Sequence, residues 1–223
     1  MTKKKSMDML HGPLGEKLML LAVPIVLSCI LQQLFNTADI AVAGKFISSE
    51  AMAAVGSNAP VISLFISMVV GLSIGANVLV AIKIGQKKFL GVRAALQTAM
   101  SMAVSVGIVM AVLGLLVARP ILEVMAAPPN IIDMAELYLR IYFLGMPFIM
   151  IYNFGSAVLR ADGDSRRPLY CLIVSSLSNL FMDLLFTVVF PWGIAGIALG
   201  TTLANGISAA LIFCYLVKEQ EYL

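Results

Sequence analysis

The sequence has 223 residues, of which 61% are hydrophobic and 12% are charged, and its net charge is +3. A soluble domain is about half apolar and about one quarter charged, so this composition excludes that class and indicates an integral membrane protein. One histidine and three isolated cysteines also argue against a zinc site or a disulfide framework.

Six apolar segments are long enough to cross a bilayer, which requires about 20 residues in a helix. They cover residues 17–43, 52–81, 93–118, 133–158, 168–190 and 194–217, and polar connectors or a tight turn separate them. We therefore predict an all-α integral membrane fold with one six-helix transmembrane lobe at 17–217. A cytoplasmic N-terminal segment, 1–16, and a cytoplasmic tail, 218–223, are expected to flank this lobe.

The basic residues are divided unequally between the two sides of the predicted membrane. By alternation of the connectors, one side collects twelve lysines and arginines, and the other has only Lys45, Arg119 and Arg140. Because cytoplasmic loops retain positive charge, this pattern predicts that both termini lie in the cytoplasm. The positive net charge then reflects membrane topology, and we expect no binding to nucleic acid.

Prolines interrupt three of the predicted spans, at Pro24, Pro60 and Pro147. Each removes one helix hydrogen bond and permits a kink. Pro24 lies about four turns from Asp39 on the first helix, so a bend there could convert protonation of Asp39 into movement. A static kink is the alternative interpretation.

Polar side chains form a single stripe on the first predicted helix. At about 100° per residue, its members fall within about 80° of one another; they are Ser28, Gln32, Asn36 and Asp39. A stripe of this kind is unfavourable against lipid, so we expect it to face the protein interior.

The fifth and sixth predicted helices each carry a polar face as well. On the fifth, Asn179 and Asp183 are four residues apart, so the Asn179 amide can hydrogen-bond the Asp183 carboxyl group. The face on the sixth helix consists of Thr201, Asn205 and Ser208. We expect these two faces to meet the stripe of the first helix in a common interior.

Asp39 and Asp183 are the only acidic residues well inside the predicted spans. An ionised carboxylate at the membrane centre costs about 3 kcal/mol on insertion scales, and such residues commonly have a function. Two carboxyl groups in one site hold a proton, or bind a cation, more readily than either group alone. This predicts an ion-coupling site, and the alternative is that both aspartates are protonated packing residues.

Five segments of the chain, taken in order, resemble the multidrug and toxin extrusion (MATE) transporters. They are LAVPIVLSCILQQLFNTADIAVAGKF (21–46), GLSIGANVLVAIKIGQKK (71–88), LRADGDSRRP (159–168), SNLFMDLLF (178–186) and GIAGIALGTTLAN (193–205). The resemblance implies a secondary antiporter that expels lipophilic, often cationic, compounds in exchange for protons or sodium. It implies neither enzymatic activity nor an organic cofactor, and it places the chain in a cell membrane, which we expect to be a prokaryotic plasma membrane.

The resemblance also implies roles for individual residues. The positions that match the family's coupling-ion residues are Asp39, Asn179, Asp183 and Thr201. Four further residues are expected to line the substrate cavity, namely Gln32, Asn36, Tyr142 and Asn153. The loop at 159–168 is expected to be a structural turn that leads into the fifth helix.

The sequence departs from the family in the number of its helices. Members have twelve helices in two six-helix lobes with the substrate cavity between them, whereas six helices are predicted here. The two lobes are related by an axis along the membrane normal, so a parallel homodimer or another chain could supply the second lobe. The alternative is a truncated lobe that does not transport alone. The choice between protons and sodium stays open, because any coupling residue of the second lobe is missing.

Rival functional classes are not equally compatible with these residues. An intramembrane aspartyl protease also needs two buried aspartates, but the nearest match to its glycine motif, ADGD at 161–164, lies in a basic connector. A flippase or exporter of lipid-linked or anionic substrates from the same superfamily remains open, although no lysine or arginine lies deep in the spans. A protein that interacts with partners without transporting anything also remains open.

Overall fold

The computed structural model describes residues 14–86 and 89–218, which form helices joined by short turns. The α-helices are Leu14–Phe46 (α1), Ser49–Gly85 (α2), Phe89–Val124 (α3), Ile132–Leu144 (α4), Met146–Ala161 (α5), Arg166–Leu184 (α6) and Gly193–Lys218 (α7). A π-helix, Leu185–Val189, continues α6 without interruption. Most of the predicted N-terminal segment and tail, together with several lysines that set the predicted orientation, lie outside the described residues.

The helices account for the six predicted spans. Five of them are individually long and apolar enough to cross a membrane, and α4 and α5 make a sixth span if the bent pair crosses as one unit. These two helices meet at an angle of 48°, with Gly145 between them and Pro147 in the first turn of α5. The kink predicted at Pro147 is therefore confirmed. Pro24 and Pro60, in contrast, lie inside the continuous helices α1 and α2.

Helix α3 extends beyond the third predicted span, which ends at residue 118. A connector is expected from Arg119 onward, but α3 continues through Pro120 and ends at Val124. A proline fixes a backbone angle that is compatible with a helix and removes only one hydrogen bond, so a long helix can continue through it. The reversal comes later, where Ala126 adopts a positive φ of 54°.

The bundle has two ends, which differ in charge. One end contains the start of α1, the α2–α3 and α5–α6 connections and the end of α7. We call it the basic end because most of the described basic residues lie there: Lys83, Arg93, Arg160, Arg166, Arg167 and Lys218. The opposite end carries Lys45, Arg119 and Arg140. The charge difference agrees with the alternation predicted from the sequence.

Helix α5 occupies the centre of the bundle, where it packs against α2, α3 and α7. All side chains at 154–159 are buried. Small residues allow the neighbouring helices to come close: a Cβ atom at Gly107 of α3 would lie 2.7 Å from the Pro147 Cα atom, and one at Gly114 would overlap the Phe143 ring. Such close contacts stabilise helix association in a membrane, where lipid competes with apolar packing.

Helix α1 lies at the edge of the bundle and packs mainly against α2 and α6. Its outer side exposes large apolar side chains such as Met19, Val26 and Leu34, so lipid or a further protein surface must cover them. Asp39 on the same helix is only 4% exposed. An edge helix therefore carries one half of the predicted acid pair.

Candidate ion-coupling site

Asp39 of α1 and Asp183 of α6 lie together inside the bundle. Their carboxyl groups are neighbours, and the Asp183 side chain is fully buried. One oxygen of each group, Asp39 Oδ1 and Asp183 Oδ2, receives no hydrogen bond from another described residue. Two adjacent ionised carboxylates would repel each other, whereas a proton on one can be donated to the other. This geometry is suited to holding at least one proton, or a cation in its place.

Asn179 and Thr201 surround the acid pair. The Thr201 hydroxyl of α7 donates to Asp39 Oδ2 at 3.2 Å, and the Asn179 amide of α6 donates to Asp183 Oδ1 at 3.3 Å. The same amide nitrogen lies 3.4 Å from Thr201 Oγ1. The hydrogen bond predicted between Asn179 and Asp183 is therefore confirmed. The four residues expected to handle the coupling ion form one polar network across α1, α6 and α7, and their role in transport stays a prediction.

The acid pair has no cationic partner in the part of the chain that the structure describes. None of the salt bridges among residues 14–86 and 89–218 involves Asp39 or Asp183. Carboxylate, hydroxyl and amide oxygens are ligands that suit hard cations. Within the same residues, no group of three His, Cys, Asp or Glu side chains could hold a metal ion. A negative charge on the pair would therefore have no balancing cation among these residues.

Glycines of α7 set the distance between α6 and α7 at the site. A Cβ atom at Gly200 would overlap Asp183 Oδ1, and a Cβ atom at Gly196 would lie 2.8 Å from the Phe186 Cβ atom. Small residues four positions apart allow two membrane helices to approach closely. Gly200 thus permits Asp183 to lie beside Thr201.

The backbone changes geometry immediately after Asp183. The π-helix begins two residues later, at Leu185, and the Thr187 hydroxyl donates to the Asp183 carbonyl oxygen. Single π-helical turns within α-helices are rare and frequently lie at functional sites. The sequence interpretation predicts a regular helix to residue 190 and misses this feature, because no local residue pattern distinguishes a π turn from an α turn.

Tyr138 of α4 belongs to the site, although the sequence interpretation missed it. It is 3% exposed, and its side chain lies close to Thr201 and to both aspartates. Tyr142, one turn later, stacks on it with the ring centroids 6.3 Å apart. The sequence does place two tyrosines, Tyr138 and Tyr142, on one face of a helix. It does not indicate that this face contacts the aspartates.

The four residues expected to line a substrate cavity do not come together. Gln32 and Asn36 are exposed on α1, whereas Tyr142 is buried near Asp39. Asn153 of α5 is half-buried, and its side chain donates to the Ile149 carbonyl oxygen at 2.8 Å. Gln32 and Asn36 thus face the uncovered side of the lobe.

The predicted stripe of α1 is therefore only partly buried. Ser28 and Asp39 face the interior, while Gln32 and Asn36 do not. The expectation that the whole stripe faces the interior of these six spans is wrong. The stripe covers about 80° of a helix that lies at the edge of the bundle, so one margin of it contacts α6 and the other remains open.

Glu136 of α4 is a third buried acid, and its surroundings differ from those of the pair. It lies near the opposite end, where Oε2 is 2.9 Å from Arg119 Nη1 and Oε1 is 2.6 Å from Arg140 Nη2. Arg119 also contacts the exposed acids Glu123 and Asp133. The sequence interpretation treats both arginines only as topology markers. In the structure both arginines neutralise Glu136, and Arg119 also connects α3 to α4.

Comparison with known proteins identifies the family. Residues 24–185, which include Asp39, Asn179 and Asp183, match the family described as MatE. The chain belongs to the MatE family. This confirms the resemblance noted in the sequence, and with the apolar helices it establishes a multi-pass membrane protein of a multidrug-efflux transporter family.

Individual relatives show how much of a MatE protein this lobe represents. It is 31% identical to "Probable multidrug resistance protein YoeA" of Bacillus subtilis, over 99% of this chain and 48% of that protein. It is 28% identical to "Probable multidrug resistance protein NorM" of Thermotoga maritima, over 93% of this chain and 45% of that protein. A crystal structure of "MATE in the bent conformation" superposes with a TM-score of 0.91 at 25% identity, over 100% of this chain and 50% of that one. The MatE lobe therefore spans about half the length of these relatives.

Proposed function

We propose that this MatE chain is one lobe of a secondary antiporter that exports lipophilic, cationic drugs or metabolites in exchange for protons or sodium. The observation that carries the proposal is the buried Asp39–Asp183 pair, which has no arginine or lysine partner among the described residues. An unpaired buried charge is expensive in a membrane. A transported cation or proton is the partner that would remove this cost.

The ion cycle follows from the hydrogen bonds of the site. With one proton, the pair carries one negative charge, which the Thr201 hydroxyl and the Asn179 amide stabilise. A second proton, or a sodium ion held by the carboxylates with the Thr201 hydroxyl oxygen, neutralises that charge. The hydrogen bond between Thr201 and Asp39 then weakens, because a neutral carboxyl group is a poorer acceptor than a carboxylate.

Helix α1 is the element that would respond to this change. Asn179, Asp183 and Thr201 lie on α6 and α7, which are packed tightly together at Gly200. Asp39 lies on the edge helix α1, which contains Pro24. Loss of the bond to Thr201 would release α1 at this level and shift Gln32 and Asn36, on its uncovered side. Ion binding is thereby linked to the surface that we assign to the substrate cavity.

The energy available is sufficient for export. One elementary charge moved across the membrane is worth about 2.3 kcal/mol per 100 mV, and every 1.4 kcal/mol corresponds to a tenfold concentration ratio. At about 100 mV, one returning ion per neutral substrate therefore supports accumulation of roughly 50-fold from the potential alone. A concentration gradient of the ion adds to this ratio. One-for-one exchange with a monovalent cationic substrate moves no net charge and is driven by the concentration gradient of the ion.

The second lobe would face the uncovered side of α1. We assign it to a second copy of this chain in the same orientation, or to another chain, in a prokaryotic plasma membrane with both termini cytoplasmic. No lysine or arginine occurs between Lys17 and Lys45 of the first helix. Its part of the cavity therefore suits cationic or neutral substrates better than the anionic headgroups that a flippase of lipid-linked substrates would bind.

The test is efflux of a fluorescent lipophilic cation from proteoliposomes under an imposed proton or sodium gradient. We expect gradient-driven efflux by the chain, loss of this efflux in Asp39→Asn, and retention in the matched control Asp133→Asn, whose side chain is 82% exposed. Efflux that persists unchanged in Asp39→Asn contradicts the proposal. A correctly folded chain that is inactive alone but active when a second lobe is added supports the hetero-assembled form.

A further inference from the structure

The turn between α5 and α6 forms specific contacts with other helices at the basic end. The Tyr152 hydroxyl of α5 donates to the Pro168 carbonyl oxygen at 3.1 Å, which holds the start of α6 against α5. The Ser165 hydroxyl donates to the Leu21 carbonyl oxygen of α1 at 3.0 Å. A turn expected to be merely structural is thus directly bonded to the helix that carries Asp39.

Ser165 is free to make this bond because another residue caps α6. Ser165 occupies the N-cap position, where a serine oxygen usually accepts a hydrogen bond from the helix backbone, but it makes no capping bond. Asp164 Oδ1 accepts from the backbone N–H groups of Arg166 and Arg167 instead, at 3.0 and 3.1 Å. Ser165 is 4% exposed, so little water competes for its hydroxyl.

The bond falls in the turn that Pro24 weakens. Pro24 has no backbone N–H, so the Leu20 carbonyl lacks its helical donor, and the proline ring crowds the carbonyl groups of the preceding turn. Ser165 binds the neighbouring carbonyl of that turn, at Leu21. After the proline, the Ser28 hydroxyl donates to the Pro24 carbonyl oxygen at 2.8 Å. Side-chain hydroxyls therefore bind carbonyl groups of α1 on both sides of Pro24, and the one supplied from outside the helix is that of Ser165.

We propose that Ser165 is a positioning residue that anchors the basic-end part of α1, so that bending at Pro24 moves only the part that carries Asp39. This inference rests on the proposed coupling role of Asp39. About 22 Å of helix separates Pro24 from Asp39, and a lever of this length transmits motion only if its base is held. Without the Ser165 bond, α1 would tilt as a whole, and less of the change at Asp39 would reach the uncovered face.

The test measures two distances between spin labels in the reconstituted chain, after replacement of Cys29, Cys171 and Cys214. Labels at Met19→Cys and Tyr170→Cys report on the anchored part, since both residues line an open groove of about 520 Å³ between α1 and α6. Labels at Leu34→Cys and Phe181→Cys, both exposed positions of the same two helices, report on the part that carries Asp39.

The substitutions compared are Ser165→Ala, Ser165→Thr and Ser178→Ala. Ser165→Thr retains the hydroxyl donor. Ser178→Ala is the matched control, because among the described residues the Ser178 hydroxyl bonds only the Val174 carbonyl oxygen of its own helix, at 2.9 Å. We expect Ser165→Ala to broaden the distribution of distances between labels at positions 19 and 170. Gradient-driven efflux should also fall about five-fold, which is the change in rate that corresponds to the loss of one ordinary hydrogen bond. Ser165→Thr and Ser178→Ala should leave both measurements unchanged.

The two distances separate failure of the Ser165 anchor from failure of the proposed function. A distribution between positions 19 and 170 that is the same in Ser165→Ala and in the parent chain overturns the anchor. The distance between positions 34 and 181 tests the proposed function instead, since neutralising the site with Asp39→Asn should change it. No change there contradicts the coupling role of Asp39, while the first distance still decides whether Ser165 anchors α1.

Discussion

Glu136 and the Asp39–Asp183 pair are both buried acids, but the protein has provided them with different partners. Glu136 is bound by Arg119 and Arg140, two cations that belong to the fold. The aspartates receive hydrogen bonds from Thr201 and Asn179. A resident cation keeps a carboxylate charged and in place, whereas neutral donors allow its charge to change.

Burial alone does not distinguish a functional acid from a structural one. What distinguishes them is the nature of the neighbours. Removing Glu136 should damage the link between α3 and α4, and removing either aspartate should damage ion exchange.

Asp183→Asn should reduce gradient-driven transport to the level of protein-free liposomes. An amide neither takes up nor releases a proton and carries no charge for a cation, so the pair loses its exchangeable site. The measurement is efflux under an imposed gradient, normalised to folded protein. Glu136→Gln is the matched comparison, and equal loss of transport in both variants would break the contrast between the two acids.

Gly200→Ala should lower both stability and transport. Its methyl group would overlap Asp183 Oδ1, and overpacking of this kind costs about 1–3 kcal/mol. Gly206→Ala is the control on the same helix, because the nearest atoms to its Cβ position are 3.9 Å away. Thermal unfolding in detergent and efflux are measured on both variants. Identical behaviour would show that α6 and α7 need not approach so closely.

Glu136→Gln should lower the free energy of unfolding by about 1–2 kcal/mol. The glutamine leaves two arginines without their buried carboxylate, but these side chains are 50% and 52% exposed and recover part of their hydration. Thermal unfolding in detergent measures the change, with Asp133→Asn as an exposed control. An unchanged unfolding temperature would show that the bridge contributes nothing to stability.

Tyr138→Phe should have the smallest effect, a fall in transport rate of about five-fold, because it removes a hydroxyl group that lies close to Thr201 and the aspartates. The aromatic ring and its stacking on Tyr142 remain. Tyr170→Phe, at an exposed position of α6, serves as the control. Equal rates for the two variants would place Tyr138 outside the functional network.

Much of this arrangement could be predicted from patterns within single helices. The apolar segments indicate the six spans because each must cover the hydrocarbon core, and the four-residue spacing of Asn179 and Asp183 places them in contact. Asp39 could be connected with them because an acid inside a span requires a polar partner. Residue chemistry was therefore sufficient to bring the acid pair together.

The remaining features depend on contacts between helices that no single segment encodes. The position of Tyr138 beside Thr201 and the role of Arg119 in binding Glu136 both follow from how α4 packs. The continuation of α3 through Pro120 and the π turn after Asp183 are choices of backbone that tertiary packing stabilises. Gln32 is exposed in this lobe, and its surroundings in the membrane depend on what covers the outer side of α1.

The most direct test of the central claim is the release of ions when a lipophilic cation binds to the reconstituted chain in weakly buffered solution, with or without sodium. The account predicts that substrate binding releases protons or sodium from the parent chain and from Glu136→Gln, but not from Asp39→Asn. Substrate binding without ion release in the parent chain, or equal release from Asp39→Asn, would contradict it.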